Sequence, residues 1–208
     1  MIKTILFDVD GVLINTFEGN RRDYNQTLEG FGKKPLSKKE YVQFYSWPAK
    51  KVLAHLLPEK SEKERDRIIS EGLLKISPTH YKYDKISPHA KAVLSKLSGR
   101  FKLGIVTSRV TPKILKFFRI IDYFDAIVCL PDVKNHKPHP EPIHLALKRL
   151  DVRPKEAIYI GDAQSDADAA RGAGVKVIIY RNPKVKGDFN ITDFREIPRI
   201  VEKLNRHK

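Results

Sequence analysis

The chain has 208 residues, 41% of them hydrophobic, with 40 Lys and Arg against 25 Asp and Glu for a formal net charge of +15. That hydrophobic content suits a folded globule rather than a disordered chain, and the length accommodates one large domain or a core domain carrying a smaller one. No apolar run approaches the ~20 residues needed to cross a bilayer, Asp8 and Asp10 interrupt any signal-peptide hydrophobic region, and the single Cys129 excludes an internal disulfide. The expected setting is the reducing cytoplasm.

In chain order, Ile2 to Phe7 reads as a short strand buried on both faces, and Asp8-Val9-Asp10-Gly11 follows it. From about Asn15 to Lys85 the pattern is helical: Ser37-Lys38-Lys39-Glu40 and Ser61-Glu62-Lys63-Glu64 are capping boxes, and Ile68, Ile69, Leu73 and Leu74 keep helical spacing. From Ser87 onward strands and helices alternate. Ser87-Pro88 opens a helix closed by Gly99. Phe101 to Val106 is a strand, followed by a helix near Pro112 to Phe118. Ala126 to Leu130 and Ala157 to Ile160 are strands, followed by helices from Glu141 to Leu150 and from about Ser165 to Arg171. Val175 to Tyr180 is the last strong strand, and Asp193 to Leu204 the closing helix. This rhythm predicts an α/β protein with a Rossmann-like three-layer α/β/α core around a parallel sheet. A small all-helical domain is inserted after the first strand. The expected division is 1–14 with 86–208 for the core and 15–85 for the insert, with hinges near Val12 to Thr16 and Asp84 to Pro88.

Open parallel sheets bind ligands beyond the carboxyl ends of their strands, so the residues after each strand carry the functional argument. Side chains two apart share one side of an extended segment, which lets Asp8 and Asp10 converge. Two converging carboxylates repel unless a cation or a shared proton relieves them. Thr107-Ser108-Arg109 follows the second core strand, Lys137-Pro138 lies in the loop after the third, and Gly161-Asp162 with Asp166 follows the fourth. Taken singly, each has an ordinary reading: a turn for Asp8 and Asp10, helix capping for Asp162 and Asp166, a turn hydroxyl for Thr107, a solvated cation for Lys137. The joint pattern is what points to chemistry.

Those four motifs, D-x-D-G-V-L at 8–13, the hydroxyl at Thr107, Lys137-Pro138 and G-D-x-x-x-D at 161–166, resemble the haloacid dehalogenase superfamily. Lys-Pro-His-Pro-Glu-Pro at 137–142 resembles its phosphoglycolate phosphatase-like branch, and the helical insert resembles that family's helical cap. The resemblance implies a Mg²⁺-dependent phosphatase of small phosphorylated metabolites. Asp8 is then the nucleophile and Asp10 the general acid and base. Asp8, Asp162 and the Asp10 carbonyl hold Mg²⁺, with Asp166 as a direct or water-mediated second acid. Thr107, Ser108 and Lys137 bind the phosphoryl oxygens. Asp10 argues against dehalogenase and phosphonatase chemistry, whose family members replace it. A sugar phosphomutase or pyrophosphatase is the alternative within the family.

Other residues receive ordinary readings. His136, His139 and His144 have no cysteine partner and do not make a metal site, and Asp168 is solvated. Tyr24, Phe44 and Trp47 belong to the core of the insert, while Arg21, Arg22, Lys50 and Lys51 face solvent. Arg109 either joins the phosphate-site loop or points outward. The positive charge attracts anionic small substrates, and its abundance resembles thermophile surfaces. Nucleic acid is disfavoured as a partner because no binding motif accompanies the charge; a basic binding module on the same fold is the reading it keeps alive. No sustained heptad speaks to oligomeric state.

Overall fold

A computed structural model describes residues 1–45, 47–71 and 78–206. The predicted helical positions Leu73 and Leu74 lie outside the described residues. The chain divides into two compact units, Met1–Asn15 with Ile86–Lys208, and Thr16–Lys85.

The larger unit is built on six strands: β1 (Thr4–Phe7), β2 (Lys102–Val106), β3 (Ala126–Val128), β4 (Ala157–Gly161), β5 (Lys176–Tyr180) and β6 (Phe189–Ile191). They form one sheet in the order β3-β2-β1-β4-β5-β6, every pair parallel. The register sets Phe7 of β1 beside Ile105 of β2 and Ile160 of β4. Every residue of β1 and of β4 is buried, as expected of strands covered on both faces.

Side chains alternate between two apolar layers. Leu6, Val106, Tyr159 and Val177 meet Ile143 and Leu147 of α7 (Glu141–Leu150) and Ala167 and Ala170 of α8 (Gln164–Gly172). On the other face Phe7 stacks on Phe194 at 6.4 Å between centroids, and Phe194 meets Tyr180 edge-on at 4.9 Å. There α5 (Ala90–Ser98) packs on β2 and on α9 (Glu196–Arg206), and the short α6 (Lys113–Phe117) follows β2 in the chain.

Three local differences from the expected elements have physical causes. Ser87 does not cap a helix: its N–H donates to the Leu13 carbonyl at 2.9 Å and its hydroxyl to the Val12 carbonyl, joining the two points where the chain leaves and re-enters this unit. The helix begins instead at Ala90, after His89 at φ 63°. The third strand stops at Val128, because Leu130 donates its N–H to the Arg109 carbonyl and Leu130–Asp132 forms a 3-10 turn. The sixth strand was not expected. It is three residues long with an exposed Asn190, and pairing with β5 rather than any local pattern makes it a strand.

The smaller unit contains α1 (Phe17–Gly30), α2 (Lys38–Tyr41), α3 (Ala49–Leu56) and α4 (Glu62–Glu71). Its core holds Tyr24, Leu28, Tyr41, Phe44, Val52, Leu53 and Leu57, with Trp47 packed against them. Both expected capping boxes form. Ser37 Oγ accepts from Glu40 N–H while Glu40 accepts from Ser37 N–H, and Ser61 and Glu64 repeat the exchange. Arg21 departs from its expected solvent-facing position. Its side chain is only 15% exposed, pairs with Glu18 at 2.6 Å and donates to the Leu36 carbonyl.

Candidate active site

The order of the sheet locates the site. Chain connectivity runs from β1 outward to β2 and β3 on one side and continues through β4, β5 and β6 on the other, so the loops after β1 and β4 flank the point where the order reverses. Parallel sheets open a crevice there. Asp8 follows β1, and Asp162 and Asp166 follow β4.

Asp8 N–H donates to the Ile160 carbonyl at 2.9 Å, which extends the β1–β4 ladder by one residue and fixes the Asp8 backbone at the edge. The chain then turns at Gly11, whose φ of +74° suits glycine. A Cβ on Gly11 would stand 2.0 Å from Asp162 Oδ2, so this glycine also lets the β1 loop and the β4 loop approach. Gly161 serves the same end: a Cβ there would stand 2.4 Å from the Cβ of Asp166.

Lys137 is the hub. Its ammonium lies 3.1 Å from Asp8 Oδ1 and 2.7 Å from Asp166 Oδ1, with its side chain only 6% exposed. It also donates to the Val106 carbonyl and the Tyr159 hydroxyl, at 3.3 and 3.1 Å. Asp166 Oδ2 accepts the N–H groups of Asp162 and Ala163, both at 3.1 Å, at the start of α8. The capping role and the site role of Asp166 thus coexist. Asn182 donates its side-chain N–H to the Asp162 carbonyl at 2.7 Å and so braces the loop from the β5 side.

Asp10 takes a separate position. Its carboxylate is held by Arg109 in a two-pronged pair, Nε to Oδ2 at 2.8 Å and Nη2 to Oδ1 at 2.6 Å. Arg109 therefore points into the site and not outward. Thr107 sits at the end of β2, buried, its N–H on the Val128 carbonyl and its Oγ1 accepting from Arg109 N–H at 3.2 Å. Ser108 is exposed. His136, His139, His144 and Asp168 are all exposed, and Asp168 pairs with Gln164 and Arg171.

Burial dominates the electrostatics. It pushes the Asp8 carboxyl up to about 7, against the Lys137 ammonium that lowers it and with Asp166 and Asp10 that raise it further. Burial likewise raises Asp162 well above the ordinary carboxylate range, aided by Asp166 and Asp8. For Lys137 burial favours the neutral amine, but Asp166 and Asp8 outweigh it and hold the ammonium charged. Four carboxylates thus face two cations, Lys137 and Arg109, at this edge.

That excess of negative charge is what a divalent cation relieves. Asp8, Asp162 and Asp166 each offer an oxygen, all within 4.8 Å of one another, and no other such group of His, Cys, Asp and Glu occurs among the described residues. Hard carboxylate oxygens suit Mg²⁺. The donor set and the charge both fit it.

A parallel α/β sheet with its acids at the switch point defines a class of enzyme rather than a member. Residues 5–180 match the family model described as haloacid dehalogenase-like hydrolase, and the chain belongs to that family. It is 32% identical to the pyrophosphatase PpaX of Bacillus pumilus over 184 residues, 84% of this chain and 81% of the relative. Two solved structures share the fold. A putative phosphoglycolate phosphatase from Lactobacillus plantarum matches with TM-score 0.85 and 23% identity, covering 96% of this chain and all of that one. The β-phosphoglucomutase of Clostridium difficile matches with TM-score 0.79 and 24% identity, over 100% and 99% of the two chains. The protein is an enzyme of the hydrolase type.

Sequence reasoning passed over Tyr159 and Asn182. Tyr159 reads as one more apolar residue of a buried strand, and Asn182 as one of several loop residues after β5. Only the hydrogen bonds distinguish them.

Proposed function

We propose that the protein is a Mg²⁺-dependent phosphatase of small phosphorylated metabolites that works through an aspartyl-phosphate. The observation that carries this reading is the acidic trio of Asp8, Asp162 and Asp166 at the carboxyl edge of the sheet, with the Lys137 ammonium on Asp8 and Asp166.

In this reading Asp8 attacks phosphorus, a new P–O bond forms to its carboxylate, and the bond to the leaving oxygen breaks. Asp10 gives that oxygen its proton, then takes one from the water that cleaves the aspartyl-phosphate and restores Asp8. In this structure Arg109 pairs with the ionised Asp10 carboxylate, so Asp10 gives up at least one prong of that pair and takes a proton from solvent before it acts as acid. Lys137 and Thr107, with Ser108 and nearby N–H groups, receive the phosphoryl oxygens. Asp8 and Asp162, with the Asp10 carbonyl, would hold Mg²⁺; Asp166 would serve it through water only by giving up one of the four protein donors it accepts from here. When bound, the cation offsets repulsion between Asp8 and an anionic phosphate.

The helical unit, inserted six residues after Asp10, is assigned the role of the cap that selects the substrate. The curated relative named a pyrophosphatase favours pyrophosphate as the first substrate to test, with phosphoglycolate next. The likeness to a phosphomutase lies under 25% identity and speaks for the fold alone. The single buried cysteine, and the lack of any membrane-crossing helix among the described residues, suit work in the cytoplasm.

The test is phosphate release from pyrophosphate, phosphoglycolate, sugar phosphates and nucleotides, with and without Mg²⁺. Mg²⁺-dependent release is expected. Silence across the panel from folded protein overturns the reading.

A further inference from the structure

Tyr159 is fully buried in β4, on the face that carries Leu6 and Val106. A hydroxyl in such a layer is costly unless it is partnered, and phenylalanine would fill nearly the same volume without that cost. Its partners are all polar groups of the site: Asp166 Oδ1 at 3.0 Å, Lys137 Nζ at 3.1 Å and the Val106 carbonyl at 3.3 Å. The hydroxyl has one proton to give and lone pairs to receive. It accepts from the Lys137 ammonium and donates to Asp166.

This connection completes a closed set. Asp166 then accepts four hydrogen bonds, from Lys137, Tyr159 and the N–H groups of Asp162 and Ala163, which fills a carboxylate's capacity. With Asp166 unable to turn, the ammonium of Lys137 is held between it and Asp8. Tyr159 lies behind these groups and touches no reacting atom. We propose that Tyr159 is a positioning residue, whose hydroxyl fixes the Lys137 ammonium against Asp8 and locks Asp166 toward the protein. The kinetic consequence rests on the phosphatase reading; the placement of the ammonium does not.

Tyr159→Phe keeps the ring and removes the connection. With Mg²⁺ and p-nitrophenyl phosphate or pyrophosphate, kcat is expected to fall about tenfold or more, the scale of a hydrogen bond to charged groups, while KM stays within about twofold. A purely structural tyrosine would change stability and leave that split unmoved. The second readout is the NMR signal of the lysine ammonium. In the wild-type protein Lys137 should give a slowly exchanging ammonium resonance with a cross-peak to the Tyr159 ring, and this measurement needs no variant. In Tyr159→Phe the resonance should shift or be lost to exchange. A kcat within twofold of wild type, an unchanged ammonium resonance, or no cross-peak in the wild type overturns the proposal. If the wild-type protein releases no phosphate from any substrate, the phosphatase reading falls and the ammonium resonance alone decides the role of Tyr159.

Discussion

Charge is used in opposite ways in the two units. In the sheet unit, Asp8, Asp166 and Lys137 are nearly inaccessible, and one ammonium serves two carboxylates. In the helical unit, Lys50 with Asp66, Lys60 with Glu64 and Lys33 with Glu59 pair one to one in solvent. Exposed pairs of this kind contribute little to stability and are screened by salt. Buried, unevenly matched ones are costly to assemble and costly to break. A protein that keeps such a cluster at the mouth of a parallel sheet does so for chemistry.

The sharpest way to break this contrast is Asp8→Asn. Phosphate release should drop by on the order of 10³-fold or more, as removal of a nucleophile does, while the fold persists, because a buried carboxyl already raised to about 7 is lost rather than a stabilising charge. Circular dichroism and a steady-state assay read both effects.

Lys137→Ala comes next. It leaves Asp8 and Asp166 buried without their cation, and stability in urea should fall by about 3–5 kcal/mol. Adding Asp166→Asn should recover part of that loss. Loss of Lys50 from its exposed pair with Asp66 should change stability by less than about 1 kcal/mol.

The third effect is a pH dependence. Without metal, the folded-state Asp8 carboxyl sits near 7 against an ordinary value of 3.8, so between about pH 4 and 7 the folded protein binds more protons than the unfolded chain. Stability attributable to this group therefore falls as pH rises through that window and is level above it. Mg²⁺ takes the ionised carboxylate, so its affinity should weaken as pH drops below about 7 and plateau above it. Calorimetric titration at pH 6, 7 and 8 measures this; an affinity independent of pH contradicts Asp8 as a ligand of the cation.

Smallest is Ser61→Ala at the start of α4. Loss of its cap should cost about 1 kcal/mol at most and leave turnover of p-nitrophenyl phosphate unaltered.

The parallel core was readable from its apolar runs, because β1, β2, β4 and β5 are buried on both faces and carry an unbroken hydrophobic signal. Asp8, Asp162 and Asp166 were readable because they follow the runs of β1 and β4, and Lys137 because it joins them in a pattern of motifs. What escaped was whatever long-range pairing alone creates. β6 exists because β5 offers it an edge, Arg21 is inside because the Leu36 carbonyl holds it there, and Tyr159 is polar in function although it alternates as a core residue. Arg109 stood undecided between two directions until its fork met Asp10. No local pattern encodes any of these.

The central claim is that Asp8 carries the phosphoryl group. Rapid quench of the wild-type protein with Mg²⁺ and ³²P-labelled pyrophosphate, followed by peptide mapping, tests it most directly. A hydroxylamine-labile phosphate on the peptide containing Asp8, absent from Asp8→Asn, is the predicted result. Label that persists in Asp8→Asn, or that maps to another residue, contradicts it.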